Sequence, residues 1–183
     1  MKTLILNGSP RAQGNTAQLV ELLLSRLYGE VCRIDAYSCD ISPCVDCRYC
    51  QKNDGCAISD GMSEIYGCLD DCDNVLIASP IYFFTLSGKL LNLASRFQVY
   101  YSTWHFRGKS LALKPKRGAV ILTCGGSGGI ENASKSARII LRQINCKEIY
   151  PVVFSKNTDE ISAINDKYAV LGTEKIAEFF NRR

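Results

Sequence analysis

Cys44, Cys47, Cys50 and Cys56 make a C-x2-C-x2-C-x5-C run, four thiols within thirteen residues. No packing need asks for thiols at that density. Sulfur is the ligand of soft metals and of iron–sulfur clusters, so the run points to metal or to electrons. The two-residue spacing of Cys44, Cys47 and Cys50 lets a tight loop wrap several corners of an iron–sulfur cube, and Cys56 lies close enough in sequence to close the same one. Structural zinc sites more often pair two separated C-x2-C turns. The spacing therefore favours a [4Fe–4S] cluster, with redox-active or metal-free thiols as the alternative and zinc behind both.

Three other stretches carry donor chemistry. Gly8-Ser9-Pro10-Arg11-Ala12-Gln13-Gly14-Asn15-Thr16 contains no acid, one arginine and many hydroxyl and amide groups, and it leads into a helical pattern. The N-terminus of a helix offers free N–H groups and a favourable dipole to a phosphate. The stretch is neither a P-loop nor a G-x-G-x-x-G fingerprint. Ser79-Pro80-Ile81-Tyr82-Phe83-Phe84-Thr85-Leu86-Ser87-Gly88 offers aromatics for a flat ring, with Thr85 and Ser87 as hydrogen-bonding groups. Cys124-Gly125-Gly126-Ser127-Gly128-Gly129 has almost no side chains, so its backbone can approach a ligand closely. Cys124 stands beside that loop. His105, the only histidine, sits among aromatics at Thr103-Trp104-His105-Phe106 and is expected to pack or lie at the surface. No acid–base pair stands out, so no catalytic side chain is assigned.

These loops need elements to hold them. Short apolar runs at Thr3–Leu6, Val31–Tyr37, Asn74–Ala78, Gly118–Thr123 and Glu148–Phe154 are expected strands, apolar along their length as in a sheet covered on both faces. Helical spacing appears at Ala17, Val20, Leu23, Leu24 and Leu27, with Asn15 or Thr16 as N-cap and Gly29 past the end. Further helices are expected over Met62–Leu69, Ser87–Phe97 and Glu131–Ile144. A closing helix carries Ile161, Ile164, Tyr168, Leu171, Ile176 and Phe179, with Gly172 a weak point inside it. The aromatic stretch Tyr100–Leu113 gives no clear period. Alternating strands and helices predict an α/β fold, a flavodoxin-like doubly wound five-stranded parallel sheet of order 2-1-3-4-5. In such sheets ligands sit beyond the carboxyl ends of the strands, where the three polar and aromatic loops fall.

The chain has 183 residues, enough for one domain with a substantial core, and no linker or repeat divides it. The expectation is a single flavodoxin-like domain over 1–183 with a cysteine-rich insertion at about 39–61. A net charge of +4 is too small and dispersed to argue for nucleic acid. No apolar run is long enough for a membrane span or a signal-peptide core, so a cytoplasmic location is expected, with thiols reduced. Cys32, Cys39, Cys68, Cys72 and Cys146 are then expected to pack as small hydrophobes.

The stretches GSPRAQGNT, SPIYFFTLSG and TCGG together resemble the flavodoxin-like NADPH-dependent FMN reductases, and the intervening cysteine run resembles the iron–sulfur flavoprotein branch of that group. The resemblance covers essentially the whole chain. It implies FMN, with its phosphate around Ser9, Arg11, Asn15 and Thr16. It places the flavin ring against Pro80, Ile81, Tyr82, Phe83, Thr85 and the backbone of Gly125 and Gly126. It implies a cluster on Cys44, Cys47, Cys50 and Cys56, NAD(P)H as electron donor, a small-molecule or protein electron acceptor, and a homodimer or homotetramer. The chain departs from the pattern at Phe84, bulky where relatives carry a small residue and expected to narrow the space over the ring. It departs also in KLLNLASRF, which keeps Arg96 but lacks the lysine and aspartate that the resemblance leads one to expect nearby.

Overall fold

The computed structural model describes residues 1–109 and 113–182. In chain order the elements are β1 (Lys2–Asn7), α1 (Asn15–Leu24), β2 (Glu30–Asp35), α2 (Met62–Asp71), β3 (Asn74–Tyr82), β4 (Thr85–Leu86) and α3 (Gly88–Ser95). They continue with α4 (Gln98–Arg107), β5 (Lys116–Thr123), α5 (Ile130–Gln143), β6 (Cys146–Ile149), β7 (Val153–Ser155) and α6 (Lys167–Phe180). One-turn 3-10 helices lie at Tyr49–Gln51 and Ala163–Asn165.

All strands belong to one sheet of order β2-β1-β3-β5-β6, and β1, β2, β3, β5, β6 and β7 run parallel. This is the expected doubly wound order, but with seven strands among the described residues rather than five. Two features make the difference. The fifth strand is broken: β6 and β7 both pair with β5, but Pro151 between them has no N–H for the ladder. The second is β4, two residues that fold back antiparallel on the end of β3.

The apolar faces divide as the alternation of strand residues requires. Leu4, Leu6, Val75, Ile77, Val120 and Leu122 face α2, α3 and α5, while Ile5, Leu76, Ala78, Ala119 and Ile121 face α1 and α6. The aromatic stretch with no clear period is largely α4; residues 110–112 lie outside the described residues. Helix α1 is shorter than its apolar spacing suggested, ending at Leu24, and Gly29 instead starts the turn into β2 with φ +95°.

The closing helix departs most from expectation. Asp166 caps it, accepting the N–H groups of Tyr168 and Ala169, so Ile161 and Ile164 fall outside it. Its inward stripe is Ala169, Thr173, Ile176, Ala177 and Phe180, whereas Tyr168 and Leu171 are exposed. Small residues take the contact because the helix lies very close to the sheet. A Cβ on Gly172 would stand 2.8 Å from Val153 Cγ2. Gly172 is thus a point of close approach, not a weak point. Gly172→Ala is expected to lose about 1–2 kcal/mol, overpacking outweighing the better helix propensity of alanine. A lowered urea midpoint at constant denaturant slope checks this.

Cys32 on β2 and Cys68 on α2 are joined by a disulfide, with Cα atoms 6.5 Å apart. This corrects the expectation that both pack as free thiols. The pairing depends on how α2 docks on the sheet edge, which no local spacing encodes. Cys72 and Cys146 do pack as small hydrophobes; burial pushes their thiols up, to about 11 and about 12. Among the described residues no helix is long and apolar enough to cross a membrane.

Candidate functional site

The loops after β1, β3, β5 and β7 meet over the carboxyl ends of the strands and enclose a cleft of about 310 Å³. The β1 loop is held in shape from below. Asn7 donates from Nδ2 to Asp35 and accepts the Ser9 N–H at Oδ1, and Ser9 Oγ donates to the Arg11 carbonyl at 2.9 Å. Thr16 and Thr123 share a buried hydroxyl hydrogen bond at 2.7 Å, which ties the first turn of α1 to the end of β5. Asn15 donates from Nδ2 to the Thr158 carbonyl and accepts the Ala163 N–H at 2.8 Å. The side chains of Asn15 and Thr16 are therefore committed to ties within the protein. What they offer a ligand is backbone N–H in the first helical turn, where no intrahelical acceptor exists.

The β3 loop is a two-residue hairpin in which Tyr82 pairs with Thr85. Its central residues, Phe83 and Phe84, have φ of 49° and 63°. Positive φ at both positions is the I′ geometry that asparagine and glycine usually take, and a bulky side chain there costs about 1–2 kcal/mol. Phe83 stands 99% exposed at the tip. Phe84 turns toward the β5 loop, where a Cβ on Gly129 would stand 2.5 Å from its Cδ1. Gly129, at φ +93°, therefore makes room for that ring. Instead of narrowing the cleft, Phe84 braces two of its loops together.

Of the residues expected in the site, Ser9, Arg11, Asn15 and Thr16 form one wall, Pro80, Ile81 and Tyr82 another, and Gly125 and Gly126 a third. Phe83 and Thr85 are not on the cleft wall. Sequence reasoning missed Thr158 and Asp159, which complete it. Their loop is zipped to the glycine loop, with Asn157 N–H on the Gly126 carbonyl and Thr158 N–H on that of Cys124. The available signal was the strand-end rule itself, since this loop follows the last strand of the sheet. The Arg11 guanidinium makes no ion pair or hydrogen bond among the described residues. An unpaired cation beside an open helix N-terminus suits a phosphate, and the apolar and aromatic Pro80–Tyr82 wall suits a planar ring.

The cysteine run occupies the segment between β2 and α2. Cys44, Cys47, Cys50 and Cys56 line one cavity of about 40 Å³. Asp46 and Arg48, between the first three cysteines, adopt left-handed φ of 50° and 62°, which turns the chain sharply enough to bring successive thiols to one side. Among the described residues no three metal-binding side chains are gathered tightly enough for a single ion. Four thiolates on one zinc each stand about 2.3 Å from it, whereas a cube takes one thiolate at each of four separated corners. All four cysteines line one small cavity, and four thiolates are the donor set that a cube takes. Cys39 lies apart, its Sγ donating to the Asp35 carbonyl at 3.3 Å and its thiol pushed up by burial and by Glu64 and Asp35. His105 is exposed and stacked on Tyr101 at 5.1 Å, outside both the cleft and the cysteine cavity.

The two sites are linked by α3. At its start the Ser87 N–H donates to Ser79 Oγ, on the strand that floors the cleft; at its end Ser95 Oγ accepts the Cys44 N–H at 2.9 Å. An eight-residue helix is about 12 Å long.

The profile of the family described as NADPH-dependent FMN reductase matches residues 1–160. An iron–sulfur flavoprotein of Archaeoglobus fulgidus is 27% identical, the match covering 100% of this chain and 82% of that protein. One from Methanosarcina thermophila is 32% identical over 74% of this chain and 70% of its own length. Another, from Methanocaldococcus jannaschii, is 32% identical, but the match spans about half of each protein, 52% of this chain and 51% of the relative. Among solved structures, an NAD(P)H:quinone oxidoreductase from Methanothermobacter marburgensis superposes with a TM-score of 0.78 at 14% identity, covering 100% and 98% of the two chains. An FMN-dependent NADH-azoreductase from Bacillus anthracis, solved with FMN, superposes at 0.74 and 16% identity over 100% of both chains. At these identities the superpositions bear on the fold alone.

Proposed function

The chain belongs to the NADPH-dependent FMN reductase family, and on that footing we propose that it is an FMN-dependent oxidoreductase that relays electrons between FMN and a [4Fe–4S] cluster. The observation that carries this is the pairing of two differently built sites on one fold: a phosphate-ready cleft at the strand ends and four cysteines round a separate cavity. When bound, FMN takes up two electrons as hydride and can release them singly, and a cluster moves one electron at a time.

The residues divide the work. Arg11 and the N–H groups at the start of α1 hold the phosphate, with Ser9, Asn15 and Thr16 fixing the loop and helix that present them. Pro80, Ile81 and Tyr82 would contact the ring, Gly125 and Gly126 would offer backbone N–H groups to it, and Phe83 and Thr85 belong to the adjoining hairpin. Cys44, Cys47, Cys50 and Cys56 hold the cluster. Helix α3 sets the spacing of the two sites within a subunit, since its ends are hydrogen-bonded to one site each. No side chain is assigned to proton transfer. We read the chain as one flavin-binding domain with the cysteine-rich insertion at about 39–61, acting in the cytoplasm as a homodimer or homotetramer, with NAD(P)H as donor and a small molecule or protein as acceptor. The relatives named iron–sulfur flavoprotein support the cluster, and membership of the FMN reductase family supports a reductase.

Anaerobic reconstitution with FMN, iron and sulfide, followed by absorbance and metal assays, tests the reading. Flavin bands without retained iron and sulfide would make the protein a metal-free NAD(P)H-dependent reductase. Flavin that neither NADPH nor NADH bleaches would make it a carrier. Arg11→Ala is expected to weaken FMN binding about tenfold, the worth of one charge-assisted phosphate contact at an exposed position. Flavin fluorescence titration reads this directly, and an unchanged affinity would move the phosphate away from the β1 loop.

A further inference from the structure

The segment that carries the four cysteines has almost no regular structure of its own, a single turn at Tyr49–Gln51. Something outside it must fix its ends. That role falls to Arg96, at the C-terminal cap of α3, whose side chain is 0% exposed. Its Nη1 donates to the Ser42 carbonyl at 2.9 Å and to Asp60 Oδ2 at 2.7 Å, and its Nη2 donates to the Ile58 carbonyl at 3.1 Å. Ser42 precedes Cys44 by two residues and Ile58 follows Cys56 by two, so one guanidinium grips the chain on both sides of the run. Asp60 closes the same ring, accepting the N–H groups of Ser42 and Met62 at 3.0 Å each. The Arg96 carbonyl accepts the Tyr66 hydroxyl at 3.0 Å, which fixes the base from behind.

One atom is left over. Arg96 Nε is buried and has no hydrogen-bond partner among the described residues. Leaving a charged donor unpaired inside a protein costs more than leaving a neutral one unpaired. Yet Arg96 lines the same cavity as all four cysteines. The missing acceptor is thus sought where the thiols are. A cluster on four thiolates carries net negative charge that grows on reduction, and its potential responds to nearby charge and to hydrogen bonds at its sulfurs.

We propose that Arg96 is the positioning residue of the cysteine centre: it clamps both ends of the loop, and its Nε–H donates to a sulfur of the loaded centre, favouring the reduced state. The inference rests on the cluster reading above. It gives Arg96 a task that the ion pair with Asp60 alone leaves unexplained, since that pair uses Nη1 only.

The test compares wild type, Arg96→Gln and Arg96→Lys after anaerobic reconstitution with FMN, iron and sulfide. The readouts are iron and sulfide content, the cluster midpoint potential by redox-poised electron paramagnetic resonance, and hydrogen exchange of segment 42–58 in the iron-free proteins. Arg96→Gln is expected to lower the reduction equilibrium constant about tenfold, a fall of about 59 mV for a one-electron couple. Its loop amides are expected to exchange at least about tenfold faster, with those of β3 unchanged. Arg96→Lys keeps a cation but loses the fork and Nε, so it should load the cluster, shift the potential less and still loosen the loop. If Arg96→Gln does not load, Arg96→Lys and the iron-free exchange decide. A loaded variant with wild-type potential, or wild-type exchange in both variants, overturns the proposal alone. Wild type that retains no iron and sulfide overturns the cluster reading and the proposal with it.

Discussion

Replacing Cys32 and Cys68 together by serine is expected to lower the unfolding free energy by about 4 kcal/mol. The disulfide joins residues 36 apart in sequence, and a closed loop of that length removes about this much free energy from the unfolded chain on the entropy account. The closed segment contains the whole cysteine-rich run, because Cys32 lies on β2 before it and Cys68 on α2 after it. Loss of the bond therefore frees the two elements that frame the candidate cluster site. Denaturant unfolding of the double variant, beside wild type with and without a strong dithiol reductant, measures this. Reduced wild type should fall onto the curve of the double variant. Identical curves for oxidised wild type and the double variant would mean that the two sulfurs are not bonded in solution.

Asp60→Ala is expected to cost about 3–5 kcal/mol, the usual penalty for removing one partner of a buried ion pair. The side chain of Arg96 is 0% exposed and that of Asp60 12%, so losing the carboxylate leaves a buried guanidinium without its charge partner. The same pair gives a signed pH dependence. Burial works to raise the Asp60 carboxyl, but hydrogen bonds from Arg96 and from the N–H groups of Met62 and Ser42 outweigh it and hold the group below the usual carboxylate range. As pH falls the unfolded chain takes up this proton first. The contribution is thus complete above about pH 4, where an unfolded aspartate is ionised, and is lost as acid passes down through the lower folded value. Stability curves between neutral pH and about pH 2 should show wild type losing stability more steeply than Asp60→Ala below about pH 4. Parallel curves would show that the pair does not contribute in solution.

Much of the architecture was legible in local pattern. Wholly apolar strands such as Val75–Ala78 and Ala119–Leu122 are covered on both sides and show it in composition. The strand-end rule then brought Ser9, Arg11, Pro80, Ile81, Gly125 and Gly126 to one place without any contact being known. The closing helix was misread because apolar bulk was taken as the sign of the inward face. Ile176 and Phe179 do face inward, but where Gly172 brings the helix against Val153 the inward neighbours Ala169 and Thr173 are small, and Tyr168 and Leu171 face outward. Thr158 and Asp159 escaped notice because their loop has no composition that marks it, and its place in the cleft depends on hydrogen bonds to Cys124 and Gly126.

The amino-acid sequence by itself determined the chemistry on offer: four thiols at cluster spacing, a cationic donor-rich loop before a helix, and a parallel sheet to carry them. These are properties of residue type and short-range period, which the chain expresses locally. Only the tertiary structure decided that Cys32 meets Cys68, that Phe84 braces the glycine loop instead of narrowing the cleft, and that Arg96 holds both ends of the cysteine run. Each of these joins residues distant in sequence, and their meeting depends on how elements pack, a property that no local spacing carries.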